Sequence, residues 1–176
     1  IYAQRVDAAG VIQWTTNGIA VCNASGEQDR PQICSDGSGG AIIAWRDYRS
    51  GNDFDIYAQR ISSTGSPVWT ANGVVICNVP GDQIFWWRPI CSDEVGGAII
   101  SWIDYRSTNE DIYAQRIDGT GTIKWMSNGV AVCTTPEKQW GPIPCGTGGG
   151  GAIITWTDYR SGTHYDIYSQ AIDAAG

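Results

Sequence analysis

One pentapeptide sets what this chain can fold into. IYAQR begins at Ile1, Ile56 and Ile112 and returns as IYSQA at Ile167, so the spacings are 55, 56 and 55 residues. Internal repeats of that length make one supersecondary unit the building block of the fold. Each unit then passes the same landmarks: a polar turn (VDAAG, ISSTG, IDGTG), a segment ending in tryptophan (VIQW, SPVW, TIKW), and NGIAVC, NGVVIC or NGVAVC. A variable loop closes on a second cysteine. A glycine-rich turn leads to AIIAW, AIISW or AIITW, and the unit ends on RDYRSG, IDYRST or TDYRSG.

These pieces read as strands. AIIAWRDY is short, apolar, rich in β-branched and aromatic residues and preceded by Gly39-Gly40. IYAQRV alternates Ile1, Ala3 and Arg5 with Tyr2, Gln4 and Val6, as a strand with a mixed face does. SDGSGG is turn chemistry, since glycine takes positive φ without steric cost. The expectation is an all-β chain of three tandem four-stranded antiparallel repeats: 1–55, 56–111 and 112–166, with 167–176 a surplus strand repeating residues 1–10. Opening on Ile1 within a repeat is expected of a processed product or a part of a longer polypeptide.

Units of this length with a fixed aromatic and a glycine turn suit β-propeller blades. DGSGGAIIAWRDYRSGNDFDIYAQRI and VWTANGVVIC resemble the blade-type repeats of large bacterial secreted and cell-surface proteins, across essentially the whole chain. The resemblance implies a propeller-like sheet array outside the cell, usually without known activity. Ser35–Trp45 is loosely similar to the Asp-box of sialidase-like propellers, but the aspartate–glycine–aromatic order departs from it and nothing catalytic carries over. The alternative is a β-trefoil, with Val11-Ile12-Gln13-Trp14 similar to the Gln-x-Trp motif of ricin-type lectins. The other copies, Pro67-Val68-Trp69 and Ile123-Lys124-Trp125, lack the glutamine.

Six cysteines stand at 22, 34, 77, 91, 133 and 145. Pairing within units gives Cys22–Cys34, Cys77–Cys91 and Cys133–Cys145, each worth about 3 kcal/mol in the chain-entropy model. A between-unit scheme gives Cys34–Cys77 and Cys91–Cys133, with Cys22 and Cys145 left for another molecule. Paired cysteines imply an oxidising, extracellular setting. Zinc is disfavoured: no CxxC occurs, and the lone His164 is remote in sequence.

The net charge of −7 repels phosphate backbones and anionic membranes, and no apolar run nears the roughly 20 residues of a transmembrane helix. Neither nucleic-acid binding nor membrane insertion is expected. No catalytic set, metal-ligand spacing or cofactor motif is visible. Asp47-Tyr48-Arg49-Ser50 recurs at Asp104 and Asp158, as scaffolding does; the expected role is an aspartate capping a turn, with the arginine paired to it or to the aspartate before Ile-Tyr. Trp14, Trp69, Trp125, Trp45, Trp102 and Trp156 are expected in the core.

The residues that break the pattern lie between the cysteines. Glu27, Gln28 and Asp29 in unit one give way to Phe85, Trp86 and Trp87 in unit two, and unit three carries Trp140. Aromatic rings in a proline-rich loop suit the apolar faces of sugars or a contact with another chain. Asn23-Ala24-Ser25 is an N-glycosylation sequon and Thr134-Thr135-Pro136 a weak O-glycosylation candidate. The primary expectation is a non-enzymatic extracellular building block of a filament, surface layer or multi-chain propeller, self-associating through residues 1–10 and 167–176. The alternative is a lectin-like, carbohydrate-binding module acting through Phe85, Trp86, Trp87 and Trp140.

Overall fold

A computed structural model describes every residue except Thr108. Among the described residues there is no helix. Within those residues, fourteen strands form four antiparallel sheets. The first sheet pairs β1 (Tyr2–Ala3) with β2 (Ile19–Ala20). The second runs β3 (Gln28–Ser35), β4 (Ala41–Asp47), β5 (Asp55–Ile61) and β6 (Val74–Cys77) in that order. In the third, β7 (Gln83–Ile84) and β8 (Ile90–Ser92) both pair with β9 (Ala98–Asp104), followed by β10 (Asp111–Ile117) and β11 (Val130–Cys133). The fourth is β12 (Gln139–Gly146), β13 (Ala152–Asp158) and β14 (Asp166–Ile172).

All-β architecture is therefore established, but the sheets hold two, four, five and three strands rather than three sets of four. A sheet starts inside the loop between two cysteines of one unit and takes its outer strands from the next. No closed propeller forms. The strands also fall into separate sheets, unlike the single barrel of a β-trefoil.

The sheets stack face to face in chain order, and the two-residue period of the strands decides which sheet each side chain meets. On β4, Ile43 and Trp45 pack towards Val21 and Cys22, while Ile42 and Ala44 pack towards Ile100 and Trp102 of β9. On β9, Ile99 and Ile103 face Ile154 and Trp156 of β13. Fully burying one such aliphatic side chain stabilises by about 1.5–3 kcal/mol. Trp45, Trp69, Trp102, Trp125 and Trp156 are buried as expected; Trp14 is half-buried. The mixed face expected for IYAQR is not seen in β5 and β10, because each lies between two stacked sheets and is buried on both sides.

Each DYR turn is a clasp of its own residues. Trp45 Nε1 (2.8 Å) and Arg49 Nη2 (2.5 Å) donate to Asp47 Oδ2, and the Arg49 backbone N–H donates to Asp47 Oδ1 (3.0 Å). The same clasp recurs at Trp102, Asp104 and Arg106, and at Trp156, Asp158 and Arg160. The arginine therefore pairs with the aspartate of its own turn, and its guanidinium lies over Tyr57, Tyr113 or Tyr168. Burial pushes Asp158 up, but the bonds from Arg160 and Trp156 win and hold it at about 2.

The disulfide expectation is corrected here: all six cysteines are free thiols. Cys22 lies beside Asp47 at one end of β4, whereas Cys34 is registered with Ile42 near the other. Five residues of strand put them about 16 Å apart, against about 4.4–6.8 Å between the Cα atoms of a disulfide. Cys77 and Cys133 stand in the same relation to Cys91 and Cys145, through Asp104 and Ile99 and through Asp158 and Ile153. The between-unit scheme meets the same obstacle, since Cys34 on β3 and Cys77 on β6 have two strands between them, about 14 Å. Cys22, Cys77 and Cys133 instead accept Arg49, Arg106 and Arg160 Nη2 at 3.4, 3.3 and 3.4 Å.

Candidate aromatic site

The first strand of the last three sheets bends at one repeated point. Between Gln28 and Cys34, between Gln83 and Cys91, and between Gln139 and Cys145, a residue with positive φ precedes a proline: Arg30 (φ 49°), Arg88 (φ 42°) and Gly141 (φ 61°). Proline has no N–H for the ladder, so register slips there: between Asp29 and Gln32 on β3, and between Trp140 and Ile143 on β12. In the middle sheet the excursion is two residues longer and splits the strand into β7 and β8, with Phe85, Trp86 and Trp87 on the loop between them.

Three of the four aromatics picked out from sequence converge. Trp86 lies between its neighbours, with ring centroids 5.5 Å from Trp140 and 6.5 Å from Trp87. Trp87 is 75% exposed. Phe85 does not join them; it is buried in the core between the second and third sheets. The loop folds inward for Phe85 and outward for Trp87, with Trp86 and Trp140 half-buried at the boundary.

Arg30 was not picked out from sequence. Its guanidinium carbon stands 4.7 Å from the Trp86 ring centroid, and Nη1 donates to the Phe85 carbonyl at 3.3 Å. The bend preceding Pro31 projects it from the second sheet across the third. The signal was available in the shared Arg-Pro, Arg-Pro and Gly-Pro steps after Gln28, Gln83 and Gln139. The neighbouring Asp29 is held by Arg46, through Nε (2.8 Å) and Nη2 (2.5 Å), which steadies the base of the bend.

Two clefts flank the Trp86–Trp87 pair. One, about 230 Å³, is lined by Trp86, Trp87, Trp140, Gly141, Ile143 and Thr157. The other, about 300 Å³, is lined by Arg30, Gln32, Phe85, Trp86 and Trp87. Each lies at or below the small end of drug-sized pockets, which begin at about 300 Å³. Trp86 Nε1 and Trp140 Nε1 are both buried without a hydrogen-bond partner. Leaving one such donor unpaired costs about 1–3 kcal/mol. Chemically, the site offers ring faces for stacking, two indole donors and a cation beside them.

Outside this site, Asn23 is exposed on the surface, as a sequon asparagine must be to be modified. His164 is exposed and lies 3.3 Å from Asp166. No helix among the described residues is long and apolar enough to cross a membrane. No protein-family model matches the chain, and no curated protein matches it.

Proposed function

We propose that this chain is a non-enzymatic extracellular module of propeller-like blades that binds carbohydrate in the Trp86–Trp87–Trp140 site. The observation that carries the reading is the pair of unpartnered indole donors on rings 5.5 Å apart, beside an exposed third ring. Sugar C–H faces stack on indoles, and sugar hydroxyls accept from indole N–H groups. A cleft of about 230 Å³ suits one sugar ring, and the adjoining Arg30 cleft suits a second residue of the same glycan. With the cysteines free, the extracellular placement rests on the resemblance to bacterial surface repeats.

Binding on a glycan array by the wild-type chain, lost in Trp86→Ala/Trp87→Ala, is the expected result. Because Trp87 is 75% exposed, Trp87→Ala leaves the fold intact and weakens binding on its own. Binding that survives the double substitution, or no binding to any glycan, contradicts the proposal.

A second reading, a self-associating building block of a filament, surface layer or multi-chain propeller, is favoured by the outer edge of β14. Ile167 there is 73% exposed, whereas its counterparts Ile56 and Ile112 are 0% exposed. An open strand edge is a template for pairing.

A further inference from the structure

Most arginines of this chain already hold a carboxylate; among the described residues, the one at the aromatic site does not. Arg46, Arg49, Arg60, Arg106, Arg116 and Arg160 each bind an aspartate of the chain at 2.5–2.9 Å. For Arg30 the nearest carboxylate oxygen, Asp29 Oδ2, is 3.9 Å from Nε and accepts Arg46 Nη2 at 2.5 Å. Arg30 Nη1 donates to the Phe85 carbonyl, and among the described residues its Nε and Nη2 donate to nothing.

Arg30 is nevertheless held in a form that suits one. Its φ of 49° before Pro31 carries the side chain from the second sheet across the third, where the guanidinium lies over the Trp86 ring. Stacking fixes the plane of the guanidinium, and its unused N–H groups then present a fork that matches a carboxylate. The side chain is 42% exposed, so an incoming anion reaches it. Asp29 is already neutralised by two bonds from Arg46, which leaves Arg30 as the uncompensated charge at this point.

The two clefts adjoin across Trp86 and Trp87. The Arg30 cleft lies between the second and third sheets, the inner pair of the stack, and the Trp140 cleft between the third and fourth. Stacked sheets stand about 10 Å apart, so a ligand filling both clefts follows the stack and occupies two neighbouring subsites. One subsite is apolar with two indole donors; the other is basic. The chain's net charge of −7 works against an anion. Salt screens exposed charges beyond about 8 Å at physiological ionic strength, so Arg30 sets the local sign.

We propose that the site takes an acidic glycan, with the carboxylate of a uronic acid on the Arg30 guanidinium and the adjoining sugar ring against Trp86, Trp87 and Trp140. This rests on the carbohydrate reading and names its ligand class. Gln32 lines the same cleft as Arg30 and offers its amide to neighbouring hydroxyls. A planar carboxylate takes two parallel N–H bonds from one guanidinium, which a hydroxymethyl group at the same ring position cannot do.

Calorimetry with glucuronate, galacturonate and mannuronate oligomers, each beside its carboxyl-reduced form, tests the proposal on the wild-type chain alone. At least one uronate oligomer is expected to bind about tenfold or more tighter than its reduced form, as charge-assisted hydrogen bonds give. In Arg30→Gln that preference is expected to fall to about twofold or less, and Arg30→Lys, which keeps the charge without the fork, to retain part of it. Trp87→Ala is expected to weaken both forms together and leave their ratio unchanged. Urea midpoints check that the Arg30 variants are folded. Neutral glycans bound as tightly as the uronates overturn the acidic class and leave the carbohydrate reading standing. A preference that survives in folded Arg30→Gln overturns Arg30 as the carboxylate's partner. Sulfated neutral oligomers bound more tightly than every uronate overturn the carboxylate. No binding to any glycan overturns both readings.

Discussion

Asp104→Asn tests the recurring clasp that holds each DYR turn. The Asp104 carboxylate is fully buried and receives Trp102 Nε1 (2.7 Å), Arg106 Nη2 (2.6 Å) and the Arg106 backbone N–H (2.8 Å). Asparagine preserves the shape but removes the charge and turns donors towards donors. Breaking a buried ion pair from one side costs about 3–5 kcal/mol. The Arg106 side chain is 23% exposed and keeps the Asn128 carbonyl, which places the loss at the low end, about 3 kcal/mol. Arg160 is 33% exposed, so solvent takes up more of its freed charge and Asp158→Asn costs less, about 2 kcal/mol. Urea denaturation of the reduced chain, followed by tryptophan fluorescence, measures both as shifts in midpoint at unchanged slope. A loss below about 1 kcal/mol for Asp104→Asn, or a larger loss for Asp158→Asn, would refute the clasp as a stabilising element of the fold.

Three further outcomes follow from the same structure. Burial, with Asp53 and Asp47 nearby, pushes Asp55 up to about 6. Its folded value thus lies above its unfolded one, so its ionisation destabilises the fold progressively as pH rises from about 4 to 6. Asp55→Asn should therefore stabilise by on the order of 2 kcal/mol at pH 7 and by almost nothing at pH 4, read from urea midpoints at the two pH values. Arg88 is exposed and holds φ at 42° before Pro89, where the corresponding residue on β12 is Gly141; Arg88→Gly should raise stability by about 1 kcal/mol in thermal unfolding. Burial pushes the Cys34 and Cys77 thiols up to about 12 and Cys91 to about 11, while Cys145 is exposed. Thiol titration of the native chain should label Cys145 first, and all six should react in denaturant without reductant.

Much of the fold was legible because a repeat shows its landmarks several times. AIIAW, AIISW and AIITW became β4, β9 and β13, and the tryptophans that recur in them are buried. Sheet boundaries were not legible. IYAQR looks like the start of a unit in sequence but is the third strand of a sheet in space, because pairing is set by the hairpin between AIIAW and DIYAQR. The cysteines misled for a related reason. Sequence proximity suggests a short loop, yet β4 carries its two neighbouring cysteines at opposite ends, and each thiol found polar partners there. At the aromatic site, composition pointed to Trp86, Trp87 and Trp140, which do meet. Phe85 could not be told apart, since the bend that turns it inward depends on two extra residues before Pro89. Arg30 was hidden because its partner Trp86 is more than fifty residues away in sequence.

Carbohydrate binding at the Trp86–Trp140 seam is tested most directly by the indole N–H resonances of a ¹⁵N-labelled chain, titrated with the glycan that the array selects. Binding at the seam predicts selective shifts of the Trp86 and Trp140 Nε1–H signals as their unpartnered protons gain an acceptor. The Trp45, Trp102 and Trp156 signals, already bonded to Asp47, Asp104 and Asp158, should stay fixed. A glycan that binds while the Trp86 and Trp140 signals remain unmoved would contradict it.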